Sequence, residues 1–238
     1  MADKQKIKLL LIIAESDLSG GPKHVLDLLA HIDKNEFQCF LICPNGNLSR
    51  EVRNIGHVEI INIPMNSKYD LPAIFLINKE LTRIQSEHNP FGPMIVHTHG
   101  TRAGLLGRLA MPKSVYSVYT EHRWDEDFHL ENRITEWIQL MWLKRLNRKT
   151  NIIIAVSNSV KRFLIEQKLA PENRIRVIHN GISLERSKMQ ETCLPSSTAT
   201  TKHKRNGNHY IIGNVGNLNH QKGQVYLIEA MPAIIKHY

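Results

Sequence analysis

At 238 residues, with 42% apolar and 22% charged residues, the chain is long enough to bury a sizeable core, and its length allows two domains. A formal net charge of +9 favours polyanionic company: nucleic acid, an anionic membrane face or phosphate-bearing substrates. No apolar run reaches the roughly 18 residues that a membrane helix needs, and the polar start followed by an apolar run over 7–14 lacks the small-residue cleavage site of a signal peptide.

Cys39, Cys43 and Cys193 show no paired spacing, which fits a reducing cytoplasm. The basic residues are mostly scattered. Local excesses occur at Lys144-Arg145 with Arg148-Lys149, and from Lys202 to Arg205. No nucleic-acid module accompanies them, so nucleic acid is not an expected partner.

Along the chain, short apolar β-rich runs alternate with helical periodicity. The expected order is a strand over 7–14, a helix over 22–32, a strand over 38–43 and a helix over 48–55. A strand over 59–63, a helix over 71–87, a strand over 94–97 and a helix over 102–110 follow. Then come a strand over 114–120, a helix over 130–147, a strand over 152–156, a helix over 159–167 and a strand over 175–178. Such alternation predicts a Rossmann-like α/β fold, a parallel sheet with helices on both faces. Ile152-Ile153-Ile154-Ala155-Val156 is apolar throughout, as a strand covered on both sides should be.

The stretch 183–208 breaks the rhythm, being rich in Ser, Thr, Lys and Asn, and reads as a linker or a disordered insertion. Beyond it, Gly213-Asn214-Val215-Gly216-Asn217 to Lys222-Gly223 reads as a strand, a glycine turn and the start of a helix. A parallel sheet needs several crossovers before both faces are covered, so the residues from here to Tyr238 cannot make a second core. The expected organisation is one domain over 1–182, a linker over 183–208 and the incomplete start of a second Rossmann-like domain over 209–238.

Open α/β sheets bind ligands at the carboxyl ends of their strands. That directs attention to the loops after Ala14, His97, Thr120, Val156, Ile178 and Val215. In the first, Gly20-Gly21-Pro22 lets backbone approach a ligand, and the following helix start offers free N–H groups to an anion. The loop is not Gly-x-Gly-x-x-Gly, which disfavours a nicotinamide or flavin dinucleotide. His97-Thr98-His99 reads either as a metal pair on one strand face or, with the strand ending here, as a polar loop facing the cleft. Asp125-Glu126-Asp127 reads as a solvated acidic loop rather than a metal clamp. Ile134, Trp137, Ile138, Met141 and Trp142, with the basic residues after them, read either as a core helix or as an anionic membrane contact.

Read together, Val96-His97-Thr98-His99-Gly100 to Arg108, Tyr119-Thr120-Glu121-His122, Ile154 to Val160 and Val177-Ile178-His179-Asn180-Gly181-Ile182 resemble the amino-terminal domain of family 4 retaining glycosyltransferases of GT-B fold. Val215-Gly216-Asn217-Leu218 to Lys222-Gly223, with Leu227 to Ala230, resembles the start of that family's donor-binding domain. The resemblance implies transfer of a sugar, with retention, from a nucleotide-sugar donor to a glycan or lipid-linked acceptor, with no metal and no further cofactor. It implies His122 as the catalytic cleft histidine and Gly21, Asn217 and Lys222 on the donor, Lys222 neutralising the departing diphosphate. It implies Gly20, Lys23, His24, His99 and Arg102 on the acceptor side. The family's arginine five residues before the lysine is Asn217 here, which keeps a donor N–H but no charge. The family's carboxylate-rich donor motif falls beyond Tyr238, so these residues alone are expected to be inactive. The alternatives are a non-catalytic acceptor- or partner-binding fragment and a GT-B-fold epimerase acting on the donor alone. The expected location is the cytoplasm, peripheral at the inner face of the membrane if the basic aromatic helix serves as a contact.

Overall fold

The computed structural model describes residues 6–87, 92–122, 133–181, 212–214, 216 and 223–237. The chain divides into two compact units, Met1–Leu184 and Glu185–Tyr238. In the first, seven parallel strands lie in the order β3-β2-β1-β4-β5-β6-β7. They are β1 (Ile7–Ile13), β2 (Phe37–Cys43), β3 (Val58–Asn62), β4 (Met94–His99), β5 (Tyr116–Glu121), β6 (Ile152–Ala155) and β7 (Ile175–Val177). Their connecting helices are α1 (Gly20–His31), α2 (Asn47–Ile55), α3 (Leu71–Glu87), α4 (Gly100–Ala110), α5 (Arg133–Asn147) and α6 (Asn158–Glu166).

Strand alternation builds the layers. On β1, Leu10 and Ile12 join Ile77, Leu81 and Ile84 of α3 and Ala103 and Leu106 of α4 in one core. Leu9, Leu11 and Ile13 point the other way, onto Val25, Leu26 and Leu29 of α1 and Leu48 and Val52 of α2. A third cluster joins Tyr119, Ile153 and Ala155 to Leu143 of α5 and Val160, Phe163 and Leu164 of α6. The apolar run over 9–14 near the head of the chain is therefore a central strand buried on both faces.

From β1 the chain winds outward to β3, then returns across the sheet to β4 beside β1. The loops leaving β1 and β4 depart in opposite directions and open a crevice at their carboxyl ends. This switch point is what the fold contributes to the site.

Two local expectations need correction. His97-Thr98-His99 is not a strand-end loop: β4 continues through His99, because His97 pairs with Leu11 and Val118, and His99 with Ile13 and Thr120. Strands on both sides satisfy the backbone there, which outweighs the polar side chains. Gly20 and Gly21 likewise form the first turn of α1 rather than a loop. In the second unit the expected helix is present as α7 (Gln224–His237). Among the described residues, Ile212, Gly213 and Asn214 belong to no strand.

Candidate active site

On β4 and β5 the period of two sorts polar side chains onto opposite faces. Ile95, His97 and His99 face α1, where Ile95 packs against the core under that helix, and Val96 belongs to the core under α3 and α4. On β5, Thr120 shares the α1 side, and its hydroxyl is hydrogen-bonded to His97 Nε2 at 2.7 Å. His122 follows in the same phase just past the strand, and His99 Nδ1 lies 3.4 Å from His122 Nε2.

His24, one turn into α1, completes a cluster of four imidazoles. Its ring lies 5.6 Å from that of His122, edge-on, and 5.7 Å from that of His99. The His97 and His99 rings are 4.0 Å apart. Burial, helped by neighbouring imidazoles, pushes His97 down to about 3 and His122 to about 4, and holds His99 well below the usual histidine range. Burial also lowers His24, with Asp27 pulling the other way. All four are neutral at pH 7, so each ring presents one donor and one acceptor nitrogen. Among the described residues, no group of three or more His, Cys, Asp or Glu is placed to hold a metal ion.

Above this cluster, at the carboxyl ends of β1 and β4, lies an open cleft of about 170 Å³ lined by Ile13, Glu15, Ser19, Gly21, Pro22, Lys68, His99, Gly100, Thr101, Arg102 and His122. Two helices begin at its wall. Ser19 and His99 are the N-cap residues of α1 and α4, neither side chain caps its helix, and neither first turn carries an acidic residue. Ser19 Oγ donates instead to Asp17 Oδ1 at 2.9 Å. Unsatisfied N–H groups and two positive dipole ends therefore face the cleft beside Lys68 and Arg102. The combination suits a phosphate-bearing or hydroxyl-rich ligand. Gly100 makes the abrupt entry into α4 possible, since its φ of 71° is one that side-chain-bearing residues seldom adopt.

The opposite face of the same strands carries a second polar group. The Arg108 guanidinium of α4 sits 3.8 Å over the Tyr119 ring, and Tyr119 donates to Glu121 Oε2 at 2.5 Å. Arg108 also donates to Gly104 O at 2.6 Å and to Asn147 Oδ1 at 2.6 Å. Burial lowers Arg108 to about 10 against the pull of Tyr119 and Glu121, so it stays charged at pH 7. Gly104 makes room for the Tyr119 ring: a Cβ there would come within 2.5 Å of it.

Of the residues expected to carry function, Gly21, His99, Arg102 and His122 border one cleft. Arg102 is partly committed, donating to Met65 O at 2.9 Å. His24 lies in the cluster beneath, and Gly20 and Lys23 are exposed on the first turn of α1 without lining the cleft. Asn217, Lys222 and the acidic run Asp125-Glu126-Asp127 lie outside the described residues. Sequence reasoning missed Lys68, which reaches the cleft from the β3–α3 connection, and the Arg108–Tyr119–Glu121 group. The alternation of His97 with His99 and of Thr120 with His122 was the available signal for the cluster. On α5, Ile134, Trp137 and Met141 are 69%, 61% and 50% exposed, so the core-helix reading fails for these three.

A family model described as Glycosyltransferase Family 4 matches residues 18–186. The capsular polysaccharide biosynthesis glycosyltransferase CapM of Staphylococcus aureus is 27% identical, over 85% of this chain and 52% of its own length. The UDP-Gal:alpha-D-GlcNAc-diphosphoundecaprenol alpha-1,3-galactosyltransferase of Escherichia coli is 29% identical, over 60% of this chain and 37% of its own. The chain thus spans about half the length, or less, of these relatives. In fold it is similar to a glycosyltransferase from Rickettsia africae, with a TM-score of 0.55 at 21% identity, covering 80% of this chain and 50% of that one. It is also similar to the Anabaena protein HepE, solved with UDP and glucose, with a TM-score of 0.52 at 15% identity over 78% of this chain and 49% of that one.

Proposed function

The chain belongs to glycosyltransferase family 4, and from that premise we propose that the protein transfers a sugar, with retention, from a nucleotide-sugar donor to a glycan or lipid-linked acceptor in polysaccharide biosynthesis. One observation carries the reading. Two uncapped helix N-termini, Lys68, Arg102 and His122 converge on a single cleft at the sheet's switch point. That is a site built for negative charge and hydroxyl groups. The names of the two sequence relatives support both donor and acceptor class, one being a UDP-galactose enzyme acting on a diphosphoundecaprenol-linked sugar.

In this mechanism the amino-terminal unit holds the acceptor over His122, flanked by Arg102 and the first turn of α1, with Gly20, Lys23, His24 and His99 on that side. Gly21 lies toward the donor. Asn217 and Lys222 are assigned to the donor diphosphate by family match, with Lys222 neutralising the charge that develops as the bond to the sugar breaks. Positioning and electrostatic stabilisation of that charge carry the rate, with neither a covalent enzyme intermediate nor a metal or added cofactor.

A membrane surface is the expected meeting place with a lipid-linked acceptor. On α5, Ile134, Trp137, Met141 and Arg145 fall on one exposed face, apolar at one end and basic at the other, and the exposed Arg148 follows in the turn after it. That face suits the boundary of an anionic bilayer.

The test uses the intact protein with a panel of nucleotide sugars and a polyprenyl-diphosphate-linked acceptor, reading product and anomeric configuration. Lys222→Ala should lower turnover by about 10²–10³-fold, the usual effect of losing one charge-stabilising group; unchanged turnover removes Lys222 from this role. Isomerised donor in the absence of acceptor would mean an epimerase. Co-sedimentation with anionic but not neutral vesicles, weakened by Trp137→Ala, tests the surface contact.

A further inference from the structure

His122 borders the cleft, and the His99 imidazole lies directly behind it. His99 is fully buried at the end of β4 and reaches the cleft residue with one nitrogen, Nδ1, 3.4 Å from His122 Nε2. Its other nitrogen, Nε2, is enclosed and has no hydrogen-bond partner among the described residues. Two neutral rings facing each other in this way can share their proton in two arrangements.

If His122 donates from Nε2, His99 accepts at Nδ1, and its own proton must sit on Nε2 as an N–H with no acceptor. If His99 donates from Nδ1, the group left orphaned is only a lone pair. An orphaned buried N–H is the rarer situation in folded proteins, and an under-satisfied acceptor is better tolerated. The two arrangements leave opposite chemistry on the remaining nitrogen of His122: a bare Nδ1 in the first, an Nδ1–H in the second.

We propose that His99 is a positioning residue that donates Nδ1–H to His122 Nε2, fixes His122 as the Nδ1–H tautomer, and so makes His122 a hydrogen-bond donor to an oxygen of the bound sugar or its phosphate. The proposal rests on His122 being the cleft residue of the transferase reading. Neighbouring rings hold the arrangement in place. The His97 ring lies 4.0 Å from that of His99, tilted by 34°, and is itself anchored by Thr120 at 2.7 Å, so the pair is braced from below. His24 closes the α1 side, edge-on to His122 at 5.6 Å. No carboxylate is hydrogen-bonded to either ring of the pair among the described residues. Burial keeps both rings uncharged near neutrality, which allows a single tautomer to be selected.

The experiment is imidazole ¹H–¹⁵N correlation spectroscopy on the intact, ligand-free protein at neutral pH, with His122 assigned by its disappearance in His122→Gln. The expected pattern is a protonated Nδ1 and an unprotonated Nε2; the reverse overturns the proposal without any substitution at His99. His99→Asn keeps an N–H donor near the position of Nδ1 and should retain the pattern, whereas His99→Leu should mix in the other tautomer. A His122 spectrum unmoved in His99→Leu sinks the positioning role. If His99→Leu fails to fold, the wild-type and His99→Asn spectra still decide. In the transferase assay, His99→Leu should lower kcat by about ten- to a hundredfold with KM little changed, and His99→Asn should restore most of it. If the intact wild type turns over no nucleotide sugar, the transferase reading fails, and the tautomer result stands or falls separately.

Discussion

Strands β4 and β5 carry polar side chains on both faces, and the two faces accommodate them differently. Toward α4, Arg108, Tyr119 and Glu121 form a connected group: the guanidinium is stacked on a ring, bonded to Asn147 and Gly104, and set against a carboxylate. Toward α1, four imidazoles crowd together: His97 is held by Thr120, but His99 and His122 meet through one long contact, and His99 Nε2 has no partner among the described residues. Buried polar groups that satisfy one another stiffen a core, whereas a buried group left under-satisfied calls for another explanation. On the proposed function, structure falls to the arginine face and ligand chemistry to the histidine face, although both grow from the same strand pair.

The largest expected effect tests the structural half. Arg108→Leu removes the stacked cation and leaves Glu121 and the Asn147 amide without it. Breaking a buried charge network by removing one partner costs about 3–5 kcal/mol. Urea unfolding of the variant should show a loss of that size. A loss under about 1 kcal/mol would rank the network with ordinary surface pairs and end the contrast.

Next comes the histidine face. His122→Ala removes a half-buried ring from the cleft wall and should change stability little. In the intact protein, kcat should fall by about 10²–10³-fold if the ring stabilises the reacting sugar or its leaving group. A variant that loses stability but not turnover would move His122 to the structural side.

Gly104→Ala sharpens the arginine face with a single methyl group. The added Cβ would meet Tyr119 at 2.5 Å, and the ring is pinned by Arg108 above and Glu121 at its hydroxyl. Overpacking of this kind costs about 1–3 kcal/mol. Thermal unfolding measures it, and a neutral outcome would show that the Tyr119 ring is free to move aside.

The sequence reveals much of the frame and less of this contrast. The helix over 71–87 and all seven strands are legible because hydropathy, periodicity and turn residues act within a few neighbours. His122 is legible through its motif. The extension of β4 to His99 is not, since it depends on β1 and β5 arriving on both sides to pair with a polar segment. Lys68 and the Arg108–Tyr119–Glu121 group depend on helices and loops brought together from distant parts of the chain. Alternation along Thr98–His99 and Tyr119–Thr120–Glu121–His122 states which residues share a face; only the tertiary fold states what each face meets.

The smallest effect is a slope rather than a loss. His97 and His122 are held at about 3 and about 4, below the ordinary 6.5, so the native chain binds fewer protons than the unfolded one throughout the interval between. Stability is therefore complete above pH 6.5 and declines as pH falls toward those values. Each imidazole kept neutral contributes about 1.4 kcal/mol per pH unit well inside that interval. Between pH 6.5 and 5 most carboxylates are still ionised in both states, so the histidines dominate the slope. His97→Gln places an amide where Nε2 meets Thr120 and removes one titrating ring. Unfolding free energies at pH 7, 6 and 5 should show a shallower decline, by about one proton's worth, with little change at pH 7. An unchanged slope would mean that His97 already carries its charge in the folded state, and the histidine face would then be no less satisfied than the arginine face behind it.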